Sequence, residues 1–236
     1  MANVFRFFLA LAGLPLAWGL TAVFLDEFRL LAMGEGGGFP VGTCALLVGF
    51  VVCLVVLMIF PLPIRLYVFG HELTHAVWGL LFGSKVSNLR VGLRGGSVEL
   101  TKSNVLITLS PYFCPFYTIL VISLALIVQA FVSPLPGKGV WLFAIGATWC
   151  FHVVFTLRAL FQRQPDVEEY GHLFSYVFIW CFSLLGIVIA LVCTTEITWG
   201  QLGGFFATRV GQAYGAVGHG GRWLYESVRS LSVLQG

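Results

Sequence analysis

Three side chains in the stretch YVFGHELTHAVWGLLFG, residues 67–83, are spaced to do chemistry together. Residues i and i+4 of a helix share a face, so His71 and His75 aim two imidazoles at one point. Glu72, next to the first histidine, lies beside that point without binding to it. This is the H-E-x-x-H arrangement, in which two imidazoles hold a zinc ion and the carboxylate takes a proton from the metal's water. The rest of the stretch is largely Val, Phe, Leu, Trp and Gly. Charged side chains near a bilayer centre cost about 2.5–3.5 kcal/mol each on insertion scales. Groups kept there at such a cost are candidates for function.

Two imidazoles do not complete a site, since catalytic zinc takes three protein ligands and leaves one position open. The segment RQPDVEEYGHLFS, residues 163–175, supplies the candidates. Asp166 is the first choice for the metal, and Glu168 and His172, which form an ExxxH pattern, are held in reserve. Between residues 82 and 166 the chain is expected to cross the bilayer twice. It then returns to the face where the His71 segment ends, at a depth Asp166 can share with His71 and His75. A further ionisable group, His152, lies in ATWCFHVVFT, residues 147–156, where Thr148, His152 and Thr156 make a polar stripe at helical spacing. It suits either the orientation of a ligand or an oxyanion, or a neutral imidazole hydrogen-bonded within a helix bundle.

The elements that must position these groups are membrane elements. Of the 236 residues, 58% are hydrophobic, 15% aromatic and only 10% charged. Soluble domains carry about 25% charged residues. The mean hydropathy of +0.94 points the same way. A net charge of +3 with no Lys/Arg block excludes a nucleic-acid partner. The six cysteines are scattered through apolar runs without CxxC spacing and read as small buried hydrophobes. A helix crossing the bilayer needs about 20 apolar residues. Six stretches qualify, near Val4–Leu25, Val41–Phe60, Leu66–Phe82, Val105–Val132, Val140–Phe161 and Leu173–Cys193. The expected fold is therefore an all-α polytopic membrane protein of about six transmembrane helices.

Two interruptions carry information. Lys85–Asn104 alternates apolar and polar residues on either side of Gly95-Gly96, which predicts a short β-hairpin over about residues 85–101, after the His71 helix. The fourth apolar stretch is broken by SPYFCP, residues 110–115, whose two prolines each remove a backbone donor. That break is either a simple kink or the wall of a polar cavity. Three parts are expected: two N-terminal helices over 1–63, a core over 64–193, and a Gly-rich tail over 194–236. The tail reads as short interfacial helices or a loosely ordered segment, with Gly211 and Gly215 able to admit a second helix.

HELTHA, a hairpin after it, a proline-interrupted helix and an Asp opening a later helix together resemble the site-2 protease family of zinc intramembrane metalloproteases. The resemblance spans roughly residues 64–193 and points to the small bacterial branch without PDZ or CBS domains. In that family the third ligand is a downstream Asp, often in a Leu-Asp-Gly setting. Here the matching stretch is Gln164-Pro165-Asp166-Val167, with the Pro–Asp core but not the Leu-Asp-Gly form. The resemblance implies a Zn²⁺ endopeptidase in the bacterial inner membrane, with Glu72 catalytic and membrane proteins as substrates. Two other readings are a non-proteolytic scaffold that binds a membrane partner, and a metal-ion carrier using His71, His75 and His152.

Overall fold

The structure, a computed structural model, describes residues 2–33, 41–93, 95–194 and 198–233. The described chain is almost entirely helical. In order it forms α1 (Ala2–Met33), α2 (Val41–Ile59), α3 (Ile64–Leu81), strands β1 (Val86–Val91) and β2 (Gly96–Leu100), α4 (Val105–Phe113), α5 (Phe116–Phe131), α6 (Lys138–Leu160), α7 (Pro165–Tyr170), α8 (His172–Thr194) and α9 (Trp199–Val233). Gly36-Gly37-Gly38 in the connection after α1, Arg94 in the hairpin turn and the Arg229 side chain lie outside the described residues.

Among the described residues, four helices are long and apolar enough to cross a membrane: Asn3–Arg29 within α1, Gly42–Ile59 within α2, α6, and His172–Ile189 within α8. The chain is thus a helical membrane protein. The fourth expected span is two helices, α4 and α5, bent by 77° at Cys114-Pro115; counted as one, it raises the number of candidate spans to five. The third, α3, is helical over the expected residues but is not among the candidates. Arg65, His71, Glu72 and His75 lower its hydropathy.

The chain divides into two compact units, Met1–Met33 with Gly171–Gly236, and Gly34–Tyr170. This grouping differs from the expected three-part division, because α1 packs on α8 and α9 while α2 packs on α6. In the first unit, Arg209 of α9 grips both carboxylate oxygens of Asp26 on α1, at 2.6 and 2.9 Å. The Tyr214 hydroxyl donates to the Ala12 carbonyl at 2.8 Å, and the Trp180 indole of α8 donates to the Thr21 hydroxyl at 3.0 Å. The expected loose or segmented tail is instead one 35-residue helix. Glycines cost about 1 kcal/mol each in an isolated helix; the polar ties to α1 supply what propensity does not.

The second unit holds the hairpin, whose strands pair antiparallel from Val86 opposite Leu100 to Val91 opposite Gly96. The register shifts between Ser87 and Arg90, where Asn88 takes a left-handed φ of 51°. Both strands pack on α3. On the unit's other side, α2 and α6 meet backbone to backbone. A Cβ at Gly49 would strike the Phe143 carbonyl oxygen, and one at Gly146 would strike the Leu46 carbonyl oxygen. Close approach through small residues is a common way for membrane helices to gain packing energy. Gly146→Ala is therefore expected to destabilise this unit by about 1–3 kcal/mol, seen as a lower unfolding midpoint in detergent. Gly139→Ala, on the same helix where a Cβ meets nothing within 4 Å, leaves the midpoint unchanged.

Candidate metal centre

α3 places His71 and His75 one turn apart, and their Nε2 atoms lie 3.3 Å from each other. Asp166 reaches the same point from α7, a six-residue helix that opens on Pro165 and is pinned by the buried Val167. Its Oδ2 stands 3.4 Å from each of the two Nε2 atoms. Among the described residues, these three offer one ligand atom apiece within 4.8 Å of one another. The triangle has a chemical meaning. Ligand atoms bonded at about 2.0–2.1 Å around a tetrahedral zinc are separated by about 3.3–3.4 Å. The residues present therefore fit such an ion.

The hydrogen-bond pattern fits it as well. His75 Nδ1 lies 2.9 Å from the Ile107 carbonyl oxygen. A carbonyl only accepts, so Nδ1 carries a proton, and in the neutral ring the Nε2 lone pair then faces inward. His71 Nδ1 faces the Tyr67 hydroxyl at 3.3 Å. The Tyr112 hydroxyl donates to Asp166 Oδ2 at 3.0 Å. Burial by itself would raise the Asp166 carboxyl, but hydrogen bonds and charge from His71 and His75 outweigh it and hold the group well below the usual carboxylate range. Two ring nitrogens and a carboxylate oxygen thus converge on one point, where they could hold a metal ion.

Glu72 is 8% exposed and is not one of the three ligand groups. With His71, His75 and Asp166 it lines a cleft of about 940 Å³, walled by Gly95 to Val98, Arg158, Arg163 and Gln164. β2 crosses directly over Glu72. A Cβ at Gly96 would lie 2.6 Å from Glu72 Cγ and 2.7 Å from Val68 Cγ1. Glycine is required here by that close approach.

The other singled-out residues fall elsewhere. Glu168 pairs with Arg163 at 3.2 Å instead of joining the cluster. His172 opens α8, in the other compact unit, with its ring 5.8 Å from that of Tyr176. His152 does not line the cleft. It borders a separate cavity of about 20 Å³ together with His71, Thr74 and Cys114, and it hydrogen-bonds to the Tyr112 backbone.

Four contributors were not singled out from the sequence: Tyr67, Ile107, Tyr112 and Gly96. Tyr67 had a readable signal, its i−4 spacing to His71. Tyr112 follows Pro111 in the break already noted and Ile107 lies one helical turn before it, but nothing local tells that they turn toward the histidines.

No protein-family model, curated protein or solved structure matches this chain.

Replacing Gly96 by Ala is expected to lift β2 from α3 while leaving all three ligand groups in place. Limited proteolysis should then cut the hairpin faster than in the wild type, with metal stoichiometry unchanged.

Proposed function

We propose that the chain is a zinc-dependent intramembrane endopeptidase of the site-2 protease type, acting on membrane-embedded or membrane-proximal segments of other proteins. The observation that carries this reading is the triangle of two Nε2 atoms and one Oδ2, with edges of 3.3–3.4 Å, beside a nearly buried carboxylate that opens on a cleft. A zinc carrier would need the three ligands but not the carboxylate next to them.

His71, His75 and Asp166 would hold the ion. An ion held there would supply Lewis acidity for activating water at neutral pH. Glu72, one residue from a ligand and facing the cleft, would accept a proton from the attacking water and return it to the leaving amine. A helical substrate has its amides engaged and must locally extend before it can be cut. Gly96, Ser97, Val98 and Leu100 of β2 line the cleft, and an extended segment laid along that strand gains main-chain hydrogen bonds by strand addition. In this reading α3 also crosses the bilayer, α4 and α5 form one broken span, and the count is six. Its polar face is covered by α4, α7 and the hairpin, which offsets its low hydropathy. The setting is the bacterial inner membrane, with the cleft open to the cytosol.

The decisive variant is Glu72→Gln, which keeps shape and removes the base. It should bind zinc like the wild type and lose cleavage of a single-span membrane substrate by at least about 100-fold. Unchanged cleavage by the purified variant overturns the mechanism.

A further inference from the structure

The break in SPYFCP does more than kink a helix. In α4 the amide of residue 111 would donate to the carbonyl of Ile107, four residues back. Pro111 has no amide hydrogen, so that carbonyl is left without its helical donor. The Ile107 oxygen is instead taken by two side chains, the Ser110 hydroxyl at 2.9 Å and His75 Nδ1 at 2.9 Å. The next residue, Tyr112, is 1% exposed and sends its hydroxyl 3.0 Å to Asp166 Oδ2. Its ring also meets the His71 imidazole edge-on, with centroids 5.3 Å apart. One short segment therefore touches all three groups of the cluster.

We infer that Pro111 and Tyr112 are positioning residues for a metal on His71, His75 and Asp166: Pro111 frees the carbonyl that fixes the His75 tautomer, and Tyr112 anchors Asp166. This rests on the metal-binding part of the reading above and on no step of catalysis. Asp166 sits on a six-residue helix outside the long spans, and a carboxylate so placed has several rotamers to choose from. A buried hydroxyl on α4 selects the one that meets the imidazoles. Pro111 acts by leaving a donor out. An amide at that position would compete with His75 for the Ile107 oxygen and free the ring to take the other tautomer, whose Nε2 carries a proton and cannot bind a metal.

The test uses the purified full-length protein, stripped with a chelator and titrated with Zn²⁺ against a competing chromogenic chelator. Tyr112→Phe, which removes one oxygen atom, is expected to bind zinc about 10–100-fold more weakly with an unchanged unfolding midpoint of the metal-free protein. Pro111→Ala should weaken binding to a similar degree. The Co²⁺-loaded variants should show shifted visible bands, which a role in packing alone would not produce. In an Asp166→Ala background, Tyr112→Phe should add less than a twofold effect, because its action runs through that carboxylate. Wild-type affinity in Tyr112→Phe, with binding lost in His71→Ala, overturns the positioning role alone. A wild-type protein that takes up no more zinc than His71→Ala overturns the metal site and this inference together.

Discussion

The constraint on which the site depends is the convergence of three polar atoms in an apolar bundle. Two imidazole nitrogens and a carboxylate oxygen stand 3.3–3.4 Å apart. Polar groups so buried are costly unless other groups satisfy the atoms that face away from one another. The fold supplies those other groups: a carbonyl for His75, a phenol for His71 and a second phenol for Asp166. Each comes from α3 or from α4 packed against it.

The broken helix explains why α4 can serve in this way. A regular helix keeps its carbonyls for itself. By stopping at Phe113 and carrying a proline inside its last turn, α4 leaves acceptors available at the depth of the histidines. Irregular backbone is tolerated within a membrane where protein surrounds it, and α4 is covered on the sides that matter, with Ile107 to Phe113 all buried. The hairpin belongs to the same economy of space. It lies close enough on α3 to exclude any side chain at Gly96, and so forms one wall of the cleft above Glu72.

Much of this was legible in the sequence, for reasons that can be stated residue by residue. The facing of His71 and His75 follows from helical geometry alone. The hairpin followed from alternation on either side of Gly95-Gly96. What could not be read was set by contacts distant in sequence. The packing of α1 on α8 and α9 brings Asp26 to Arg209 and Thr21 to Trp180, which no local pattern announces. The tail's glycines suggested weakness, yet it is one helix, tied to α1 through Arg209 and Tyr214. Asp166 was drawn toward the histidines by counting crossings, but its delivery on a separate short helix was not foreseen. The two readings of the proline break, kink and cavity wall, both hold, since the chain bends there by 77° and Pro111 and Cys114 line a small cavity; the freed Ile107 carbonyl is a further consequence that neither announces.

That carbonyl has an evolutionary consequence. Ile107 takes part through its main chain, so its side chain can drift among apolar residues at little cost. Selection falls instead on Pro111, whose effect is to leave an amide hydrogen out. Among related chains, position 111 should therefore vary less than position 107, although only the latter makes the contact.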